Sequence, residues 1–191
     1  RWARHQYAEN VNAFYMDAGE VTKALWDSVQ RWAVDRGYSF GAAPGKAPDH
    51  PVHSVSWYDC VKWCNARSEK EGLTPCYYTS AMRADVYRMG ELDLSERHVA
   101  WTADGYRLPT EAEWEKAARG TDGRMYPYGN TFDAAQGNTS ETGIRQTSAV
   151  GMFSQGASPY GVLDMHGNVW QWCLTDYSAP ASDAMREDLR N

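Results

Sequence analysis

The stretch from residue 105 to 120 constrains this chain most, because one short segment contains the start, body and end signals of a helix. Thr110 is followed three residues later by Glu113, the spacing of a capping box in which each side chain bonds the other residue's backbone amide. Trp114 and the alanines three and four residues after it predict one apolar face. Gly120 supplies a left-handed stop. The segment therefore predicts a short amphipathic helix that begins at Thr110 and packs a tryptophan into a core.

Two further helices are predicted from the same kinds of signal. Thr22 caps an apolar stripe that ends at Gly37. Ser56, with an aspartate three residues on, forms a second capping box for a helix from Trp57 to about Lys70.

Strand signals are weaker. Residues 11–21 alternate imperfectly and predict a strand or hairpin. Within 73–104, three short apolar runs predict strands at 76–79, 86–88 and 98–101. Together they would form an inserted hairpin that either roofs a binding surface or is a tolerated loop.

Residues 121–159 contain no convincing helix, and so long an irregular stretch needs something to hold it in place. A bound cation is the obvious candidate.

Length, charge and hydropathy limit the number of domains and the classes of partner. A chain of 191 residues and 21.5 kDa is expected to form one domain with one core. Its net charge of −6 and its 19 scattered Lys and Arg residues argue against a nucleic-acid partner. No apolar run reaches the roughly 18 residues of a membrane span. The chain begins at Arg1 without an apolar leader, so it is expected to be a processed or trimmed piece, and the sequence indicates no compartment.

The aromatic content is high, with nine Trp and twelve Tyr residues. Large rings can fill the core of a fold poor in regular structure while their polar tips bond loop backbone. They could instead line a carbohydrate or peptide groove, but the core interpretation is favoured. Trp170 and Trp172 are accordingly expected in the core, because strand-like alternation would bury at least one of them.

The four cysteines are too few and too irregularly spaced for a disulfide framework, and no pair has the C-x-x-C spacing of a zinc or redox site. Cys60 and Cys64 would share one helix face, where disulfide geometry is poor. Buried free thiols are therefore expected at Cys60, Cys64, Cys76 and Cys173.

Two long strings carry a family resemblance. Arg-Leu-Pro-Thr-Glu-Ala-Glu-Trp-Glu-Lys-Ala-Ala-Arg-Gly, from Arg107, resembles the signature helix of the formylglycine-generating enzyme family, also called sulfatase-modifying factors. Tyr-Gly-Val-Leu-Asp-Met-His-Gly-Asn-Val-Trp-Gln-Trp, from Tyr160, resembles a second family segment. The resemblance implies a single irregular α+β domain over residues 1–191 with a C-type-lectin-like fold, few short strands, two or three helices and calcium-supported loops.

The resemblance also implies a first calcium site in the second string. Its ligands would be the side chains of Asp164 and Gln171 and the carbonyls of Gly167 and Val169, which suits an ion that takes six to eight oxygens. Gln171 stands where the family usually has glutamate, so an oxygen is kept but a charge is lost. The alternative is a loop held by hydrogen bonds alone. Imidazole is a poor ligand for a hard ion, so His166 is expected to have a surface or packing role.

A second calcium site is implied at the Asn138 side chain, the Thr139 and Ile144 carbonyls and the position of Thr142. The family expects an aspartate where Thr142 stands, and whether the neighbouring Glu141 substitutes for it stays open. Hydrogen bonding is again the alternative. Neither site is catalytic in the family, since each fixes loop backbone.

Catalysis is the least determined property. The family binds copper(I) through a cysteine pair late in the chain and oxidises the cysteine of a Cys-x-Pro-x-Arg sulfatase motif to formylglycine, and soft thiolates suit copper(I). The family's closing Arg-Gly-Gly-Ser-Trp and cysteine-bearing segment is absent from these 191 residues, and none of the four cysteines matches it. No catalytic residue is therefore assigned, and copper is expected only if a missing C-terminal segment carries the pair.

Two classes of function stay open. The first is a copper-dependent formylglycine-generating oxidoreductase acting on a sulfatase-type peptide. The second is a non-catalytic domain that binds a protein or peptide ligand on the same fold, as in the variable proteins of diversity-generating retroelements. An accessory, structural domain of a larger protein is a third interpretation.

Overall fold

The computed structural model describes residues 11–174 and contains three α-helices in that range. They are α1 (Lys23–Val34), α2 (Trp57–Lys70) and α3 (Glu111–Arg119), each within a few residues of its predicted position. Single 3-10 turns lie at Glu96–His98, Ala134–Gln136, Ser140–Thr142 and Ser154–Gly156. None of the helices in the described range is long and apolar enough to cross a membrane.

Strand pairing among residues 11–174 is limited to isolated antiparallel bridges. Tyr77 pairs with Val99 and Tyr78 with Val86, so the strands predicted within 73–104 are reduced to single contacts. The backbone of 11–21 forms no strand, and its bonds to other segments are single ones: the Ala18 carbonyl accepts from the Leu163 amide at 2.8 Å and the Val21 carbonyl from the Val52 amide at 3.0 Å. The predicted strands are therefore not confirmed in the described part of the chain.

A single buried side chain ties the region 73–104 to α2. Asn65, fully buried on α2, donates from Nδ2 to the carbonyls of Tyr77 (2.8 Å) and Tyr87 (3.1 Å). Its Oδ1 accepts from the amides of Cys76 (3.1 Å) and Tyr77 (3.0 Å). These bonds satisfy buried backbone groups, and the Tyr77 carbonyl also accepts from the Tyr87 amide at 3.0 Å. The region is thus packed into the core against α2.

Aromatic rings fill the main core, as the composition predicts. Trp26 of α1 stacks on Trp63 of α2 with ring centroids 5.3 Å apart. The Trp63 indole also donates to the Trp26 carbonyl at 3.2 Å, and the Trp57 indole donates to the Cys173 carbonyl at 3.0 Å. Ring bodies therefore pack α1 against α2, and the indole N–H groups of Trp57 and Trp63 find backbone acceptors, whereas that of Trp26 is buried without a partner among the described residues.

Helix α3 begins with the predicted capping box. Glu113 N–H donates to Thr110 Oγ1 at 3.2 Å, and Thr110 N–H donates to Glu113 Oε2 at 2.9 Å. The Arg107 guanidinium donates two hydrogen bonds, of 2.7 and 2.6 Å, to the same carboxylate. The far side of α3 joins a second, small core with Val162 and Met165. This contact places α3 beside the loop that follows Met165.

Candidate metal centre

The segment 163–171, here called the Asp164 loop, is shaped by left-handed backbone. Asp164, Gly167 and Asn168 have φ values of 56°, 102° and 65°. A Cβ on Gly167 would lie 2.3 Å from the Asn138 carbonyl oxygen, so only glycine fits. That close approach lets the Asn168 amide donate to the same carbonyl at 2.9 Å. The loop is thereby joined to the segment that begins at Asn138.

Two carboxylates meet at this loop. Asp164 is buried, and its Oδ2 accepts from the Gly151 amide at 2.6 Å. Glu20 approaches from the segment before α1, and its Oε2 accepts from Asn168 Nδ2 at 2.7 Å. Burial and the charge of Asp164 raise the pKa of Glu20 to about 7, and burial also raises the pKa of Asp164. Each charge is therefore unfavourable without a counter-ion or a proton.

Glu20 was missed as a candidate ligand by sequence reasoning. It lies 148 positions from Asn168, so no local spacing links the two. The available signal was an acidic residue just before the capped start of α1, inside a segment that otherwise alternates apolar side chains.

Gln171 connects Glu20 and the Asp164 backbone to helix α3. Its Oε1 accepts from the Trp114 indole at 2.7 Å, and its Nε2 donates to the Asp164 carbonyl at 3.1 Å and to Glu20 Oε1 at 3.3 Å. The amide oxygen thus faces α3 while the amide hydrogens face the acidic groups. Ligation by Gln171 oxygen remains a prediction, and this orientation commits that oxygen to Trp114.

The remaining oxygens suit a hard cation. Asp164 Oδ1 and the Gly167 and Val169 carbonyls accept no hydrogen bond from any residue in the described range. With the Glu20 carboxylate, they form a set of oxygen donors of the kind calcium prefers. Asp164, Gly167, Val169 and Gln171 belong to one loop and Glu20 is an unpredicted neighbour of it, while calcium ligation by these residues stays a prediction.

The second predicted site is arranged differently. Asn138 and Thr139 lead into the 3-10 turn that ends at Thr142, and Ile144 follows the left-handed Gly143. Asn138 Nδ2 donates to Asn168 Oδ1 at 3.2 Å, so this turn adjoins the Asp164 loop. The Thr142 hydroxyl donates to the Thr139 carbonyl at 2.7 Å. That carbonyl is therefore already in use within the turn.

All four cysteines are free, as predicted. Burial raises the pKa of Cys60 and Cys173 to about 12 and that of Cys76 to about 11, and it raises the pKa of Cys64 further. Each thiol therefore stays protonated at neutral pH, whereas the thiolate is the metal ligand and nucleophile. Across residues 11–174, no three or more His, Cys, Asp or Glu side chains cluster as metal ligands.

His166 packs among rings, as expected. Its ring centroid lies 5.3 Å from that of Tyr126, 5.6 Å from Tyr128 and 6.0 Å from Phe132, and Tyr128 Oη lies 3.2 Å from its Nδ1. Burial lowers the pKa of His166. This ring cluster packs against the Asp164 loop at His166.

The core prediction for the two late tryptophans is wrong. Trp170 is 93% exposed, and Trp172 is 42% exposed although its indole donates to the Val55 carbonyl. Exposure alternates through residues 169–173, and the two tryptophans, being two positions apart, lie on the same, exposed face. Trp170 belongs to a set of exposed apolar side chains on segments that meet the Asp164 loop, here called the apolar rim: Phe132, Met152 and Trp170, exposed by 42%, 65% and 93%.

Comparison with protein families places these features in context. Residues 3–187 match the family model described as the sulfatase-modifying factor enzyme 1-like domain. The chaperone protein LppX of Paenibacillus barcinonensis is 34% identical over 195 residues, covering 89% of this chain and 65% of LppX. The formylglycine-generating enzyme of Thermomonospora curvata is 39% identical over 195 residues, covering 92% of this chain and 51% of the enzyme. The mouse protein named inactive C-alpha-formylglycine-generating enzyme 2 is 38% identical over 114 residues, covering 50% of this chain and 36% of that protein.

Solved structures agree on the fold. CarF superposes with a TM-score of 0.73 at 29% identity, covering 86% of this chain and 69% of CarF. Treponema denticola variable protein 1 superposes with a TM-score of 0.60 at 27% identity, covering 86% of this chain and 63% of that protein. The chain spans between about half and two thirds of LppX and of the Thermomonospora enzyme. The match over residues 3–187 shows that the chain belongs to the sulfatase-modifying factor, or formylglycine-generating enzyme, family.

Proposed function

We propose that this domain is a polypeptide-binding member of its family and that its own four thiols carry out no cysteine oxidation. The observation that carries the proposal is the state of those thiols: each has a pKa raised by burial, and all four are free. Copper(I) is ligated by thiolates, and burial makes the thiolate form of these four cysteines less favourable. The names of two relatives, an inactive enzyme and a chaperone, support a non-catalytic role on this scaffold.

The binding surface in this proposal is the apolar rim. Phe132 packs on His166, and Met152 follows Gly151, whose amide binds Asp164. Trp170 lies between Val169 and Gln171 in the loop itself. Exposed rings and methionines beside fixed backbone are typical of polypeptide contacts. The variable protein among the structural neighbours supports the related view of a display surface on this fold.

The binding proposal is tested with a library of random peptides displayed on phage. We expect enriched peptides to bind the wild-type chain and to lose about tenfold or more in affinity with Trp170→Ala, as expected for a central aromatic contact. Met89→Ala is the matched control, because Met89 is 66% exposed in the region packed on α2. Failure to enrich any peptide, or equal loss in both variants, would rule the rim out as the binding surface.

We further propose that a calcium-like divalent ion supports the Asp164 loop. Asp164, Gly167 and Val169 would hold it, Glu20 would add a second negative charge, and the ion would fix backbone rather than react. At a concentration about 100 times its Kd, such an ion adds about 2.7 kcal/mol of stability. For a chain of this size that is a rise of roughly 5–10 °C in Tm. An unchanged Tm on addition of EGTA would contradict the proposal.

Formylglycine generation is the second candidate function. It is favoured by the identity to the Thermomonospora enzyme and would require cysteines beyond the four in this sequence. The test is to incubate the copper-loaded chain with a Cys-x-Pro-x-Arg peptide and oxygen, with the Thermomonospora enzyme as positive control. We expect no thiol-to-aldehyde mass change with this chain. Conversion would overturn the non-catalytic proposal.

A further inference from the structure

The Thr142 hydroxyl occupies a central position in the turn that the family resemblance assigns to a second cation. Its proton goes to the Thr139 carbonyl at 2.7 Å, and Asn138 Oδ1 lies 3.3 Å from the same hydroxyl. The Thr142 amide also donates to the Thr139 carbonyl, at 3.2 Å. A carbonyl oxygen has two lone pairs, and both are now used. The Thr139 carbonyl is therefore not available as a metal ligand.

Asn138 is held in the matching orientation. Its Nδ2 donates to the Gln146 carbonyl at 2.9 Å and lies 3.2 Å from both Ser148 Oγ and Asn168 Oδ1. With the nitrogen turned to those acceptors, the oxygen must face Thr142. The Asn138 side-chain oxygen and the Thr139 carbonyl, two of the three predicted ligand oxygens, thus both face the protonated Thr142 hydroxyl.

An aspartate at position 142 would reverse this arrangement. Its carboxylate has no proton to donate, so it would place negative oxygens against the Thr139 carbonyl and Asn138 Oδ1. Those oxygens would repel one another unless a cation lay among them. The threonine hydroxyl instead attracts these oxygens through its own proton, so no cation is needed to hold them together. Threonine also lacks the negative charge with which an aspartate would bind a cation.

The turn is also tied to its surroundings without metal. Asn168 N–H donates to the Asn138 carbonyl at 2.9 Å, and Ser148 N–H donates to Asn168 Oδ1 at 2.9 Å. These bonds connect the two ends of the 138–148 segment to the Asp164 loop. The hydrogen bonds alone account for the closure of the segment.

We infer that the 138–148 segment of this chain is closed by the Thr142 hydroxyl in the place where the family binds a second calcium ion. The segment binds no divalent cation, and its stability does not depend on one. The inference is independent of the proposed calcium at the Asp164 loop, because the two rest on different oxygens.

The experiment isolates the 138–148 segment by weakening the first centre with Asp164→Asn. Calcium titration by calorimetry and Tm with calcium or EGTA are measured for D164N, D164N/T142D and D164N/N138A. We expect no calcium response in D164N and a new calcium-dependent rise in Tm in D164N/T142D. A calcium response in D164N that N138A abolishes would overturn the inference, and so would the absence of any response in D164N/T142D.

A second measurement covers the case in which D164N does not fold. Bound calcium per chain is then counted for the wild type and for T142D after gel filtration. We expect T142D to bind one more ion per chain than the wild type, and an equal count overturns the inference. If the wild type binds none, the calcium proposal for Asp164 fails while the inference on Thr142 stands.

Discussion

Single residues set the chemistry of the Asp164 loop. Gln171 shows this best, since its amide oxygen bonds Trp114 while its amide nitrogen bonds Glu20 and the Asp164 carbonyl. A glutamate of the same length can keep the bond to Trp114 but cannot donate to the other two groups. Position 171 therefore decides whether the cluster is partly satisfied by its own hydrogens or must rely on a cation.

Gln171→Glu is predicted to increase the calcium dependence of stability. Without calcium, a third carboxylate beside Glu20 and Asp164 should lower Tm, and with calcium it should act as a ligand. Each tenfold gain in affinity adds about 1.4 kcal/mol to the calcium-dependent stability. The measurement is Tm in calcium and in EGTA, with Gln171→Leu as a control that loses both roles. An identical calcium shift in Gln171→Glu and wild type would contradict the prediction.

Asn65→Leu is predicted to be among the most damaging single changes. It leaves buried backbone groups of Cys76, Tyr77 and Tyr87 without their partner. Since each unsatisfied buried group costs about 1–3 kcal/mol, a total loss of about 3 kcal/mol or more is expected in urea unfolding. The control is Asn130→Leu, because exposed Asn130 accepts one bond, from Met125 N–H. Similar losses in the two variants would show that the Asn65 network adds little.

At the scale of elements, turns hold this fold together by close backbone contact. A Cβ on Gly156 would lie 1.8 Å from the Gln136 carbonyl oxygen, so the 3-10 turns Ala134–Gln136 and Ser154–Gly156 touch through bare backbone. Gly156 has no positive φ, so the requirement for glycine there is purely steric. The long region 121–159 is thus ordered partly by contacts between its own turns.

Gly156→Ala is predicted to destabilise the chain more than Gly123→Ala. Gly123 has a φ of 73°, and a Cβ added there would meet no described atom within 4 Å, so alanine faces only the left-handed strain of about 1–2 kcal/mol. At Gly156 the added Cβ would push against the Gln136 backbone, which would have to move. We expect the free energy of unfolding to fall by about 3 kcal/mol, within the range for overpacking. Urea unfolding followed by circular dichroism measures both, and a smaller loss at Gly156 would contradict the contact.

At the scale of the whole molecule, burial of titratable groups predicts alkaline instability. Thiols have an ordinary pKa of 9.0, whereas burial raises that of Cys76 to about 11 and those of Cys60 and Cys173 to about 12. Between pH 9 and 11 the unfolded chain loses protons that the folded chain keeps, so the free energy of unfolding falls as pH rises. The stability contributed by the protonated, buried thiols is fully present below pH 9 and is lost as pH rises towards 12.

The expected slope is at most about 1.4 kcal/mol per pH unit for each thiol. Urea unfolding at pH 8, 9, 10 and 11, followed by circular dichroism, measures it. Cys173→Ser should give a shallower slope, because one raised thiol is removed. A free energy that stays constant over this range would show that the thiols are accessible in the folded state, which would also weaken the non-catalytic proposal.

The sequence by itself determined the helices and their starts. Capping is a local interaction, so Thr22, Ser56 and Thr110 cap helices where their spacing predicts. The family strings were equally local, and the match over residues 3–187 confirms the family they indicated. The aromatic core and the free thiols followed from composition and spacing, because large rings and isolated cysteines are most stable away from water.

Only the tertiary structure decided what those helices and loops do to one another. Asn65 bonds backbone groups 11 to 22 positions away, and Glu20 bonds a loop residue 148 positions away. The orientation of Gln171 and the proton of Thr142 depend on which acceptors surround them, and those acceptors come from segments distant in sequence. Local spacing carries no information about such partners, since they lie tens of positions or more apart in the sequence.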